Sequence, residues 1–457
     1  MSDISIISPV PVTSDGFEVH VVPKLFSSQA MLGALQAVGT PYVALVTAVK
    51  GLSILSESIS FMVDCLEGQQ ASMVYADYVS IESGAKSLVQ LAEPEKFVVR
   101  DSFDFGPVIV ARTADALGIL TSSVPSDASA FFALTLGLQI RGELYHTGVP
   151  VGFLSDNDSR DSGDKQFDYV NPRNTNVQKE REAIFTAYLS QIGALVNPAE
   201  SLPVKPHGDF PLRASVIIPV KNRVNTVADA IKSALEQHTS FDFNVIVVDN
   251  HSTDGTTEVI ADLASQNDNV IHIIPQAQDL GIGGCWNLAV ADPRCGTYAV
   301  QLDSDDLYSS PETLQTIVSK FQEKDYALVV GSYKLVDFDL NTIPPGVIDH
   351  KEWTDGNGPN NILRINGMGA PRAFSTTWLR HHPFPNVSYG EDYAAVLQAT
   401  RRYLVARIFS VLYLCRRWRG NSDAGLTRKA QAAHDAYKDR LRSDEIEQRI
   451  KQNSKNK

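Results

Sequence analysis

Three carboxylates fall within four positions at Asp303, Asp305 and Asp306, inside the stretch YAVQLDSDDLYSS at 298–310. Like charges this close repel, so folding alone gives no reason to gather them. Two carboxylates one residue apart, just past a strand, can both turn onto one divalent cation. Oxygen ligands completed by water and phosphate suit Mg2+ or Mn2+. Such a cation would neutralise a diphosphate as it leaves. The bland alternative is a solvated acidic loop in which Ser309 or Ser310 caps the helix PETLQTIVSKFQ, with a proline in its first turn.

The elements around this stretch have to position it. From about Pro211 onward the pattern is strand, loop, helix, repeated. ASVIIPV, FNVIVVDN, VIHIIPQ and YAVQLDSDD read as short buried strands. VNTVADAIKSALEQ, TTEVIADLASQ and GGCWNLAVA read as the helices between them. That alternation predicts an α/β fold with a mainly parallel sheet and helices on both faces. Ligands bind such sheets at the carboxyl ends of the strands. Here the strands end in Lys221-Asn222-Arg223, Asp249-Asn250-His251 and Asp303-Ser304-Asp305, three polar ends on one edge.

The 457 residues are 43% hydrophobic and 20% charged, an ordinary globular composition long enough for two or three domains. A net charge of -13 argues against a nucleic-acid partner. Cys65, Cys285, Cys295 and Cys415 form no CxxC pair, so neither a zinc site nor a disulfide framework is expected. That usage fits a reducing cytoplasm. The start, MSDISIISPVPV, lacks the pattern of a signal peptide, and no apolar run is long enough to span a membrane. At most peripheral membrane association is expected. Residues 156–210 open with DNDSRDSGDKQ, continue as a helical stretch and end in NPAESLPVKPHGDFP, which reads as a linker. The expected organisation is 1–155, a linker with a helix at 156–210, an α/β domain at 211–425 and a helical tail at 426–457.

ASVIIPVKNRVNTVADAIKSALEQ, VIVVDNHSTDGTTEVI, GIGGCWNLAV, VQLDSDDLYSSPETL and YGEDYAAVLQAT occur in this order. Together they resemble family 2 glycosyltransferases of the GT-A (Rossmann-like) fold, over roughly residues 214–422. The resemblance implies that Pro219 and the loop Lys221, Asn222, Arg223 wall a nucleotide. It places Asp249 against the base, with Asn250 and Ser252 beside it, although Ser252, Thr253 or Asp254 would equally serve as the cap of the next helix. Gly283, Gly284 and Asn287 match the loop near nucleotide and sugar, with a plain tight connection as the alternative. Asp303 resembles the residue near the ribose and sugar, with Ser304 beside it. Asp305 resembles the principal ligand of Mn2+ or Mg2+, and Asp306 a supporting group. The family places its general base at Glu391-Asp392, and an inverting transfer needs one carboxylate to deprotonate the acceptor hydroxyl. Asp392 is the expected base and Glu391 the runner-up or an acceptor contact, although acids also suit any first helical turn. Many relatives carry a late Arg-x-His or Gln-x-x-Arg-Trp segment. Here YLCRRWRGNSD offers Arg416, Arg417 and Trp418 without that His or Gln, so Arg417 and Trp418 are expected at the donor and a polymer-extruding mechanism is not. Asp349, His350, Glu352, Trp353 and Asn366 are expected on the acceptor side.

The first half contains a weaker echo. Thr40 onward, TPYVALVTAVKGLSILSESISFMVDCLEGQQASMVYADYVSI, parallels Thr297 onward, TYAVQLDSDDLYSSPETLQTIVSKFQEKDYALVVGSYKLVDF. Thr47-Ala48-Val49 stands where Asp303-Ser304-Asp305 stands. Residues 1–155 therefore read as a truncated GT-A-like domain without donor site, walling an acceptor cleft or self-associating through its sheet edges. The implied partners are a nucleotide sugar (UDP- or GDP-sugar) and a glycan, lipid-linked or other hydroxyl acceptor, in cell-surface polysaccharide or glycoconjugate synthesis. The competing classes are a sugar-1-phosphate nucleotidyltransferase, for which PVKNRVNT lacks the glycines, and a glycan-binding pseudoenzyme, which the second half's intact carboxylates oppose.

Overall fold

A computed structural model describes residues 3–14, 16–49, 51–155, 175–351, 353–365, 367–418, 420–421 and 426–455. The chain forms two compact units. Unit 1 comprises Met1–Leu195, Leu363–Ile365 and Asp439–Lys457, and unit 2 comprises Val196–Ile362 and Asn366–Lys438.

Unit 2 is built on one sheet. Its strands are β1 (Ala214–Val220), β2 (Phe243–Asp249), β3 (Val270–Ile273), β4 (Tyr298–Gln301), β5 (Leu307–Tyr308), β6 (Leu328–Val336), β7 (Thr342–Ile348), β8 (Arg372–Ser375) and β9 (Val405–Arg416). Its helices are α1 (Val227–Leu235), α2 (Thr256–Gln266), α3 (Ile282–Ala291), α4 (Thr313–Lys324), α5 (Thr376–His381) and α6 (Glu391–Arg402), and α7 (Arg428–Lys455) runs on into unit 1. The sheet order is β3-β2-β1-β4-β8-β6-β9-β5, with β7 added beside β6. Strands β3, β2, β1 and β4 are parallel, as their continuous apolar runs predict. β8 lies antiparallel between β4 and β6, and β6 pairs parallel with β9. Val216, Ile218, Val245, Val247 and Val300 from the strands meet Val227, Ile231, Ile260, Leu314 and Phe321 from the helices in one apolar core.

The glycines of α3 serve a close approach. A Cβ on Gly283 would collide with the Pro385 carbonyl, and one on Gly284 with the Asn386 side chain. Asn287 completes the junction: its side-chain N–H donates to the Phe384 carbonyl at 2.8 Å, and its Oδ1 accepts the Phe384 N–H at 2.9 Å. The α3 start therefore clamps the segment that leads, through the left-handed Gly390 (φ +78°), into α6. The helix after the acidic loop begins at Thr313 rather than at a serine cap. Ser310 Oγ accepts the Glu312 N–H at 3.3 Å, and the Ser309 hydroxyl donates to the Val411 carbonyl.

Unit 1 carries a six-stranded sheet in the order Glu18–Val21, Ile4–Ser8, Tyr42–Val46, Val108–Arg112, Met73–Tyr75, Leu144–His146. Its pairings run parallel, parallel, antiparallel, antiparallel, parallel. This is the same sequence of senses as β2-β1-β4-β8-β6-β9 in unit 2. A second sheet orders Leu52–Ile54, Gly152–Ser155, Tyr78–Glu82 and Ala85–Val89.

The stretch expected as a linker divides between the units. Helix Thr175–Gln191 buries Ile184, Phe185, Tyr188 and Leu189 within unit 1, and Val196 onward belongs to unit 2; residues 156–174 lie outside the described residues. The expected tail divides at Asp439, and in unit 1 its buried Arg442 and Arg449 pair with Asp439 and Glu445. Among the described residues no helix is long and apolar enough to cross a membrane.

Replacing Gly283 by Ala tests the α3 clamp. Alanine has the better helix propensity, but its methyl would have to displace backbone. The expected outcome is a loss of about 1–3 kcal/mol in denaturant unfolding; equal or greater stability would mean that the clamp is slack.

Candidate active site

The site lies at the carboxyl ends of β1, β2 and β4 and at the start of α6. At the end of β1, Asn222 adopts a left-handed conformation (φ +55°). Its N–H donates to Ser252 Oγ at 3.0 Å, and its side-chain oxygen accepts the Thr253 N–H. Asp254, just before α2, accepts from the Thr256 N–H and the Val224 N–H. The cap position itself is the left-handed Gly255, so none of the three candidates is the cap; Asp254, one residue before it, ties the helix start to Val224, and Ser252 ties the β1 and β2 loops together. Pro219 is the penultimate residue of β1, and Lys221 is exposed beyond it.

Asp249 is fully buried at the end of β2. Its carboxylate accepts from the Ser252 N–H at 3.1 Å and the Thr257 hydroxyl at 2.5 Å, with His272 Nε2 at 3.6 Å. Burial pushes its acidity toward neutrality, but those hydrogen bonds outweigh it and hold the carboxyl below the usual range. In this arrangement both oxygens are taken up by the loop. Asn250 donates to the Leu280 carbonyl at 2.7 Å, and its buried Oδ1 has no partner.

The acidic loop follows β4. Asp303 accepts both hydrogen bonds from Gln301 Nε2, at 2.9 and 3.1 Å, and its N–H donates to the Tyr413 hydroxyl. Asp305 Oδ2 accepts from Trp418 Nε1 at 3.3 Å and Asn421 Nδ2 at 3.2 Å, and Arg223 Nε lies 3.8 Å away. Buried Asp306 accepts the Arg416 N–H at 2.8 Å, while Arg416 Nε donates to the Asp305 carbonyl. Ser304, between them, is buried, and Arg417 extends β9 by donating its N–H to the Val336 carbonyl. Burial raises the Asp303 carboxyl despite Gln301 and Arg372, and burial with the charges of Asp303 and Asp305 raises Asp306 well above its ordinary value. Among the described residues no three His, Cys, Asp or Glu side chains converge as a metal cage. The donors present are carboxylate oxygens under mutual repulsion. They fit a hard divalent cation that draws its remaining ligands from water and a diphosphate.

Glu391 and Asp392, neighbours in sequence, sit in opposite environments. Asp392 Oδ2 pairs with Arg372 at 2.5 Å, and its side chain keeps 30% exposure. Burial works against its ionised form, but Arg372 and then Lys438 outweigh it and hold it below the usual range. Glu391 is buried and its Oε2 has no hydrogen-bond partner. Burial, reinforced by Asp392, pushes its carboxyl up to about 8.

Sequence reasoning missed Gln301 and Arg372. The β4–β8 pairing sets Val300 opposite Ala373, so the next positions, Gln301 and Arg372, adjoin. Gln301 Oε1 accepts the Arg372 N–H at 3.1 Å while its Nε2 holds Asp303, and Arg372 then holds Asp392. The pairing register was the one signal that could have found them. Of the acceptor-side candidates, His350 is buried with Nε2 accepting the Gly369 N–H, Trp353 is buried against Gly358, and Asp349 pairs with Lys351. Glu352 and Asn366 lie outside the described residues.

Residues 215–382 match the profile of Glycosyl transferase family 2. An uncharacterised glycosyltransferase of Nostoc sp. is 36% identical over 132 residues, 29% of this chain and 40% of the relative. The chondroitin synthase of Pasteurella multocida is 35% identical over 133 residues, 29% of this chain and 13% of the relative. The matched stretch thus spans less than half the length of these relatives. Among solved structures, residues 1-349 of S. aureus TarS in complex with UDP-GlcNAc align with a TM-score of 0.40 at 22% identity, over 51% of this chain and 66% of that one.

The Glu391 environment makes a pH-dependent prediction. The carboxyl releases its proton near 4.5 when unfolded and near 8 when folded. Between those values the folded state holds a proton that the unfolded state has lost, so this group's contribution to stability is full below about pH 4.5 and is lost as pH rises through about 8. Glu391→Gln does not titrate. Above pH 7 it should be more stable than the parent by on the order of a few kcal/mol, with a higher melting temperature, and converge with it near pH 4.5. Parallel melting curves across that range would refute the assignment.

Proposed function

We propose that this chain, in which residues 215–382 are a family 2 glycosyltransferase domain, moves a sugar from a nucleotide-diphosphate sugar to a hydroxyl acceptor with inversion at the anomeric carbon. The observation that carries the reading is the single hydrogen-bonded line from Asp303 through Gln301 and Arg372, all within 215–382, to Asp392 just beyond it in unit 2. Asp392 is ionised and partly exposed, so it can receive the proton of an acceptor hydroxyl. Glu391, buried and protonated at neutral pH, cannot. The acceptor oxygen attacks the anomeric carbon opposite the leaving group, the carbon–oxygen bond to the diphosphate breaks, and the hydroxyl proton passes to Asp392. Arg372 keeps Asp392 charged and oriented between turnovers.

Asp305, with Asp303, would hold Mg2+ or Mn2+. When bound, such a cation supplies charge neutralisation for the departing diphosphate. Arg223, Asn222, Ser252 and Trp418 border the same loop and are assigned to the donor, with Lys221, Asn250 and Arg417 beside them. Asp249, Gly283, Gly284 and Asn287 act by shaping the loops. The donor is assigned as a UDP- or GDP-sugar, and the likeness to the Pasteurella chondroitin synthase supports a role in polysaccharide or glycoconjugate synthesis. The four thiols, three of them buried and all free, support a cytoplasmic location.

We read unit 1 as a GT-A-like copy without chemistry. Its matching strand order supports this, as do Thr47, Ala48 and Val49 after its strand Tyr42–Val46 and Ala130-Phe131 at the start of helix Ala130–Arg141, where unit 2 places its carboxylates.

Two substitutions test the reading. Asp305→Ala should abolish cation-dependent affinity for the donor in calorimetry with UDP-sugars and Mn2+; undiminished affinity would remove Asp305 from the site. Asp392→Asn should keep donor binding and lower transfer by about 10²–10⁴-fold. Near-normal transfer by that variant, with Glu391→Gln inactive, would move the base to Glu391.

A further inference from the structure

Unit 1 contains a cavity that the transfer reaction does not use. It lies among three of its helices, Thr113–Ser122, Ala130–Arg141 and Thr175–Gln191, with a volume of about 300 Å³, within the range of small-ligand pockets. Its walls are apolar, from Ile119, Val124, Leu136, Ile140 and Ile184. Gly137 lets the first two helices cross closely, since a Cβ there would strike Ile119.

The polar groups around the cavity are unusual in their balance. All three helices end at it, and several of the carbonyls near those ends are already satisfied. The Ser122 and Ser123 hydroxyls donate to the carbonyls of Gly118 and Leu120. The Gly142 N–H donates to Leu138, and the Ile192 and Ala194 N–H groups close the third helix over the left-handed Gly193. What remains are donors: one buried hydroxyl, and the side chains of Arg141 and Gln191 at the exposed mouth. Tyr188 is 4% exposed, and its buried hydroxyl has no partner. Among the described residues the Arg141 guanidinium and the Gln191 amide make no hydrogen bond or ion pair. The lining holds one cation and no carboxylate. An unpartnered buried hydroxyl is a cost that a ligand acceptor atom would remove.

We propose that this cavity binds a free, single-chain anionic amphiphile, its apolar chain between the three helices and its carboxylate or phosphate at Arg141, Tyr188 and Gln191. The inference is independent of the glycosyltransferase reading, because none of these residues belongs to the catalytic unit.

The test is calorimetry of the full chain with laurate below its aggregation threshold, alongside dodecyltrimethylammonium as the cationic counterpart. Laurate should bind at one site per chain and raise the melting temperature, and the cationic chain should not bind. Arg141→Gln should weaken laurate about tenfold, the scale of one charge-assisted hydrogen bond. Ala187→Phe, on the exposed side of the third helix, should fill the cavity and abolish binding. Tyr188→Phe should stabilise the unliganded chain while weakening laurate, which separates a ligand-seeking hydroxyl from a merely structural ring. The proposal falls if laurate does not bind, if the cationic chain binds equally, if Ala187→Phe leaves the affinity unchanged, or if anionic phospholipid vesicles capture the protein while laurate does not.

Discussion

The antiparallel pairing of β4 with β8 is the constraint on which unit 2 depends. It brings Gln301 against Arg372, and through them two acidic groups distant in sequence are locked into one electrostatic system. Five carboxylates, Asp303, Asp305, Asp306, Glu391 and Asp392, crowd this end of the sheet. They coexist because each has a different compensation. Gln301 solvates Asp303, Trp418 and Asn421 hold Asp305, the Arg416 backbone holds Asp306, Arg372 pairs with Asp392, and Glu391 keeps its proton. Were β8 to slip by one residue, its side chains would change face and the Arg372–Asp392 pair would be lost.

Much of this was legible in the sequence, for identifiable reasons. Ala214–Val220 and Phe243–Asp249 are apolar runs closed by polar loops, and period and punctuation fix such strands. The acidic pairs were visible because adjacent like charges are costly. Gln301 and Arg372 were invisible because their roles come from an antiparallel register across a long connection, which no local pattern encodes. The glycines at 283 and 284 could be read as special, but their purpose could not. They make room for the Pro385 carbonyl and the Asn386 side chain, and only packing reveals that. The unit boundaries were hidden for a similar reason: a tripeptide at 363–365 and the end of α7 join unit 1, and composition carries no trace of it.

The shared strand order of the two sheets separates scaffold from chemistry. In both, apolar strands set pairing and sense, and the residues just past the strand ends are free to vary because they add little to the core. Unit 1 has Thr47 Oγ1 donating to the Gly106 carbonyl at the place where unit 2 bears a repelling carboxylate. A neutral hydroxyl closes the loop without needing a Gln301 or an Arg372 to support it. The His146 ring, set between Asp77 and Glu93 and stacked on Tyr75, fills the strand ends of unit 1 with a satisfied polar cluster.

The discontinuity of unit 1 bears on how the chain is made. Arg100 binds Asp439 through Nε and Nη2, 339 residues further on, and Arg364, fully buried, pairs with Asp101. A ribosome delivers residues in order, so the first half emerges with Arg100 lacking Asp439 and with Asp101 paired to Arg181 but not yet to Arg364. Unit 2, whose strands are nearly consecutive, can complete its sheet before the end of α7 leaves the tunnel. The half synthesised first is therefore the half finished last. Its apolar clusters draw only on residues made early, so what waits for the late segments is the pairing of buried charges.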